Sequence, residues 1–339
     1  MKNQFTALFS AALLGIGMAV TATSVQAENR EFLNVSYDAT REFYDDFNPS
    51  FAAYWKLHTG RTVNFKQSSG ESSKQARAVM DGLQGDVVSL ALANDIEDIV
   101  KSGQIQANWQ TEFPNNAAPY TSSIVFVVRK GNPKKLKDWS DLIKPNVQIV
   151  TSNSKTGGLS RWVYLSAWGY ALKQSAATDV QAKQFVRRLY RNVKVIDAVT
   201  QTSMKTFAER GVGDVWLTSE REALATQNVL GKNKFDIIYP SMSILIEPSV
   251  AIVDKTVDQN GNKWLAKGYI NYLYSPLGQE MAAKHFYRPR NQIILAKYAN
   301  QFPPIKTFTI DDVFGGWSQA QKTHFVSGAI FDQITHADQ

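Results

Sequence analysis

Along the chain, short runs of apolar and β-branched residues alternate with stretches whose apolar positions recur every three or four residues. The runs "FLNVSYD", "TVNFKQ", "DVVSLAL", "SSIVFVVRK", "NVQIVTS", "DVWLTS", "FDIIYP" and "ILIEPSVAIVD" read as strands. Helical spacing shows at Ala76, Val79, Met80 and Leu83. It shows again at Phe43, Tyr44, Phe47, Phe51 and Trp55, where Pro49 interrupts and the rings read as core. The last part, from "NKWLAKGYINYLYSPLGQEMAAKHF" onward, is mainly helical. Strands alternating with helices predict an α/β fold with mostly parallel sheets.

Two segments break the pattern. Residues 108–123, "NWQTEFPNNAAPYTSS", are polar and without period, and in 239–248, "YPSMSILIEP", two prolines bracket an apolar run. Both are candidate crossings between lobes. One lobe would hold residues 28–118 plus 241–339 and the other 119–240, a discontinuous arrangement with a hinge and a cleft between. Such a shape suits a protein that closes on a ligand.

The amino terminus changes the picture of where this fold works. Lys2 precedes an apolar run from Ala7 to Val20 and the small-residue site Val25, Gln26 and Ala27. That is the pattern of a secretory signal peptide, residues 1–27, cleaved after Ala27. No later segment approaches the roughly 20 apolar residues that span a bilayer. Cysteine is absent, which excludes a lipobox, thiol catalysis and zinc–thiolate sites. The expectation is a free periplasmic protein. The formal net charge of +7 is scattered among acidic residues, so it reads as a mixed solvated surface and not as a nucleic-acid footprint.

Candidate chemistry gathers where strands end. Asp38 in "SYDATREF", Ser72 in "QSSGESSKQA", Gly157 in "TSNSKTGGLSRW", Thr200 in "DAVTQTSMKTF" and Ser219 in "WLTSEREAL" each stand just before a helix. In open α/β sheets ligands sit at those carboxyl ends. Helix starts offer unpaired amide N–H groups and a positive dipole end, which hold an anion without requiring a lysine or arginine. Taken singly, each is also an ordinary N-cap, and Ser72 with Gln75 reads as a capping box. Several in one chain point to a shared cleft. Enzyme patterns are missing: His58, His285, His324 and His336 lack metal spacing, "NSKTGG" lacks a P-loop frame, and no G-x-S-x-G occurs. No cofactor or metal is implied.

Longer stretches identify a relationship. "LNVSYDATREFY", "KQARAV", "LALANDI", "PYTSSIVFVVRKGNPKKLKDWSDLIKP", "TFAERGVGDV", "YLYSPLGQEMAAKHFYRPR" and "FTIDDVFGGW" are similar to the periplasmic sulfate-binding proteins of ABC importers, along nearly the whole mature length. The resemblance implies a type II periplasmic-binding-protein fold, two α/β lobes around a hinged cleft. It also implies a monomeric, non-enzymatic receptor that takes sulfate, thiosulfate or a related oxyanion to a membrane permease.

The family holds a dehydrated dianion with backbone N–H groups, hydroxyls and one indole N–H. Carried over by position, this implies Asp38, Ser72, Ser73, Gly157, Gly158, Leu159, Thr200 and Ser219 around the ligand, with Glu71, Arg161 and Gln201 set to tune specificity. Several of these depart from the family. Gly157 stands for a binding serine, Leu159 for a glycine, Thr200 and Gln201 for an alanine and an arginine, and Ser219 for the tryptophan donor. Each lost hydrogen bond to a charged group is worth about 1.5–3 kcal/mol. Glu71 stands where a glycine flanks the binding serine, and is expected to face solvent because only its backbone is needed. Sulfate or thiosulfate is the first ligand by resemblance. A larger organosulfur compound, a protonated oxyanion, and a sensing role without transport stay open.

Overall fold

The computed structural model describes residues 30–174 and 177–335; the signal-peptide segment and His336 lie outside the described residues. Twelve strands follow the chain: β1 (Arg30–Tyr37), β2 (Val63–Gly70), β3 (Val87–Leu90), β4 (Tyr120–Arg129), β5 (Ile149–Ser152) and β6 (Val193–Asp197). Then come β7 (Val215–Ser219), β8 (Phe235–Ile238), β9 (Ser243–Ile246), β10 (Ser249–Ile252), β11 (Arg288–Pro289) and β12 (Thr307–Phe308). They form two sheets, one in the order β10-β3-β1-β2 and one in the order β12-β9-β4-β7-β5-β6. β1 runs parallel to β2 and β3, and β5 runs parallel to β6 and β7. β4 runs antiparallel to β7, β8, β9 and β11, and β10 to β3, so the two-lobed α/β architecture has mixed sheets where the alternation predicts mostly parallel ones.

All eight apolar runs contain strand, but the last is two strands, not one. It splits at Glu247 and Pro248, and its halves, β9 and β10, join different sheets. β6 escaped the pattern because it is a half-exposed edge strand carrying Lys194. Pro49 does not break the helix Arg41–Thr59. The buried stripe of Phe43, Phe47, Phe51 and Trp55 outweighs the roughly 3 kcal/mol an internal proline costs.

β4 is the spine of the molecule. Its residues 120–121 pair with β11, 122–123 with β9, 124–128 with β7 and 126–129 with β8. The carboxy-terminal segment packs back onto the helix Gly158–Leu172: Trp317 lies edge-on to Trp162 at 4.6 Å, and His324, Phe325 and Phe331 surround Tyr164. Burial pushes the His324 imidazole down to about 4, so it stays neutral, hydrogen-bonded to the Tyr164 hydroxyl at 3.0 Å.

Candidate functional site

The carboxyl ends of the parallel strands converge on one cleft of about 520 Å³ between the two sheets. Helices begin there at Ser72, Gly158, Thr200 and Glu220. Asp38, Glu71, Ser72, Gly158, Leu159, Thr200, Gln201 and Ser219 line it. Ser73, Gly157 and Arg161 do not. Ser73 is exposed on the second residue of its helix, Gly157 is buried as the N-cap of the next, and Arg161 lies behind that helix start.

The lobes meet closely at one edge of the cleft. The Trp162 indole N–H donates to the Ala91 carbonyl at 3.2 Å, and a Cβ on Gly158 would come within 3.2 Å of the Ala91 Cβ. A glycine at 158 therefore allows this helix start to approach the opposite lobe.

Ser72 is not part of a capping box. Glu71 is the N-cap residue and offers no side-chain bond to the helix. The Ser72 hydroxyl instead donates to Asp95 Oδ2 at 2.5 Å and accepts the Ala91 amide at 3.0 Å. Gln75 turns away to the Ser36 carbonyl and the Ser68 hydroxyl. The reason is tertiary: β1, β2 and β3 lie side by side, so the first turn of the helix after β3, Ala93–Lys101, presents Asp95 to the start of the helix after β2. Burial pushes the Asp95 carboxyl up to about 6, against the lowering effect of the Ser72 hydrogen bond.

Glu71 does not face open solvent as expected. It is half-buried and lines the cleft, and burial, with the Asp38 carboxylate adding to it, raises its pKa above the ordinary range. Among the described residues no hydrogen bond or ion pair holds its carboxylate. Behind the site, the Arg161 guanidinium donates to the Ser154 carbonyl at 3.1 Å. Burial lowers its basicity, with Asp95, Asp98 and Glu71 acting in the opposite direction.

Gly157 and Ser160 form a matched pair. A Cβ at 157 would stand 2.7 Å from the Ser160 hydroxyl, which is bonded to the carbonyls of Asn153 at 2.8 Å and Gly157 at 2.9 Å. A hydroxyl is thus present in this turn, but it is buried away from the cleft. Thr200 is the first residue of its helix, with its hydroxyl 3.5 Å from that of Ser152. Ser219 caps the next helix by accepting the Glu222 amide at 3.2 Å.

The structure adds residues that the pattern of strand ends did not reveal: Tyr37, Glu42, Ser122, Arg221, Glu222 and Tyr287 also line the cleft. Arg221 was within reach of a sequence reading, two residues beyond Ser219 in "TSEREAL". Ser122 and Tyr287 were not, because only the antiparallel pairing of β9 and β11 with β4 brings them there. Among the described residues, no group of three or more His, Cys, Asp or Glu is placed to hold a metal ion.

Comparison with known proteins agrees with this architecture. The family model described as bacterial extracellular solute-binding protein matches residues 33–288. The sulfate-binding protein of Escherichia coli is 52% identical over 322 residues, covering 95% of this chain and 98% of its own. The thiosulfate-binding protein of Pseudomonas aeruginosa is 46% identical over 328 residues, covering 96% and 98%. Among solved structures, the sulfate-binding protein SubI from Mycobacterium tuberculosis superposes with a TM-score of 0.77 at 27% identity, over 88% of this chain and all of that one. The chain belongs to the bacterial extracellular solute-binding proteins, in the branch of the sulfate- and thiosulfate-binding receptors of ABC importers.

Proposed function

We propose that this chain is a non-enzymatic periplasmic receptor that captures sulfate, thiosulfate or a related oxyanion in the cleft and hands it to the membrane permease of an ABC importer. The observation that carries this reading is the convergence of helix starts on one cleft in a chain 52% identical, end to end, to a sulfate-binding protein. Amide N–H groups at Ser72, Ser73, Gly158, Leu159 and Thr200 would neutralise the anion, with the hydroxyl of Ser219 beside them. Gly157, Asp38, Gln201 and Arg161 shape these loops, and Glu71 sets which anions are admitted.

In this reading residues 1–27 are removed after Ala27, and the mature protein acts as a monomer. Lobe 1 is 28–118 plus 241–339, lobe 2 is 119–240, and the segments 108–123 and 239–248 carry the hinge. The terminal residues that pack on the helix Gly158–Leu172 tie the lobes together.

Ligand binding to the folded state alone stabilises it by about 2.7 kcal/mol at a hundredfold excess over Kd. Thermal-shift measurements and calorimetric titration of the mature protein with sulfate, thiosulfate, phosphate and molybdate test the proposal. Sulfate or thiosulfate is expected to raise Tm. If no oxyanion moves it, the cleft is not an oxyanion site.

A further inference from the structure

The free donors of the cleft are not at Ser72, whose hydroxyl proton is committed to Asp95. They lie at the end formed by β4, β7 and the helix Glu220–Leu230. The Ser122 hydroxyl accepts the Arg221 amide at 3.2 Å and the Ser219 hydroxyl accepts the Glu222 amide at 3.2 Å. Neither hydroxyl proton is given to a protein acceptor among the described residues, so both remain for a ligand. Arg221 lies beside them with its side chain 9% exposed. Its Nη1 donates to Glu222 Oε1 at 2.6 Å, and its Nη2 lies 3.5 Å from Oε2 of the exposed Glu42 across the cleft. Its Nε is buried without a hydrogen-bond partner among the described residues. A buried, unsatisfied N–H on a charged group is costly and calls for a reason, and beside two serine hydroxyls with uncommitted protons an acceptor on a ligand supplies one.

Space and charge agree with this. At about 520 Å³, with roughly 30 Å³ for each water, the cleft has room for a dozen or more waters, several times what a bare tetrahedral oxyanion fills. The unpaired, half-buried Glu71 opposes a concentrated dianion at the Ser72 end. A ligand that divides two negative charges between its ends lessens that repulsion and places the second charge on Arg221.

We propose that Ser122, Ser219 and Arg221 form a second subsite, and that the ligand is an organic sulfonate with a carboxylate at its other end. The sulfonate sits on the helix starts at Ser72, Gly158 and Thr200. The carboxylate takes the place of Glu42 on Arg221 Nη2, engages Nε, and accepts from the two serine hydroxyls. This inference rests on the receptor reading above and names its substrate class.

Calorimetry with methanesulfonate and sulfoacetate, which differ by one carboxylate, tests it. The wild-type protein is expected to bind sulfoacetate at least about tenfold tighter, the worth of one charge-assisted hydrogen bond. In Arg221→Gln the ratio of the two Kd values should collapse to within about twofold. Ser122→Ala, read the same way, should lower the ratio by about threefold or more, and it serves if Arg221→Gln does not fold. A wild-type ratio near one, or a preference that survives both substitutions, overturns the proposal. Sulfate binding with neither sulfonate also overturns it and leaves the receptor reading standing. Failure of every anion, sulfate and thiosulfate included, overturns both.

Discussion

The Ser72 hydroxyl donates to Asp95 Oδ2 at 2.5 Å, so the serine at the mouth of the candidate site is held as a donor to a buried carboxylate. An anion at this helix start therefore meets Asp95 directly behind Ser72. Burial raises the Asp95 carboxyl to about 6, and a neighbouring anion raises it further, so anion binding takes up a proton. Affinity should rise as pH is lowered toward about 6 and level off below it. In Asp95→Asn that slope should flatten, as read by calorimetric Kd values for sulfate across the range. A slope equally steep in the variant would remove Asp95 from the linkage.

Glu71 carries the second charge against an anion. Replacing it with glutamine removes like-charge repulsion while keeping the backbone of the N-cap. Glu71→Gln should tighten sulfate binding by about tenfold near pH 8, with a smaller gain near pH 5, where the raised pKa leaves less carboxylate to remove. Unchanged affinity at both values would place the carboxylate outside the reach of the ligand.

Gly157 and Ser160 should behave as a coupled pair. Gly157→Ser drives a Cβ to 2.7 Å from the Ser160 hydroxyl and should cost about 1–3 kcal/mol in urea unfolding. Adding Ser160→Ala removes the obstructing oxygen and should recover most of the loss. Independent, additive effects of the two changes would contradict the contact.

Glu220 is fully buried and receives a two-pronged bridge from Arg288, at 2.6 and 2.7 Å. Arg288→Met leaves that carboxylate uncompensated beside β4, and should destabilise the protein by about 3–5 kcal/mol. By contrast, Lys66→Ala breaks an exposed pair with Glu31 and should cost under about 1 kcal/mol. Equal losses in the two variants would deny the bridge its structural weight.

Periodicity was enough to find most of the strands, because burial on both faces favours short runs of apolar and small hydroxyl side chains, as in β3 and β5, whereas the half-exposed β6 gave no such run. The small polar and glycine residues after the strands marked the loops of the cleft, although of its four helix starts only the one at Ser219 is capped by a side chain. Periodicity also found the core stripe through Pro49, since spacing on a helix face survives one missing hydrogen bond. What each loop residue does was settled elsewhere. Ser72 looked like a cap and became a partner of Asp95, Glu71 looked solvent-facing and came to line the cleft, and Gly157 ceded its space to Ser160. Ser122 and Tyr287 entered the cleft through the pairings of β9 and β11 with the first residues of β4. Local propensity is written in neighbouring residues, whereas the direction of a polar side chain depends on which distant donor or acceptor packing brings within about 3 Å. The sequence therefore determined the lobes, the cleft and the family, and only the tertiary structure decided which donors in that cleft remain free for a ligand.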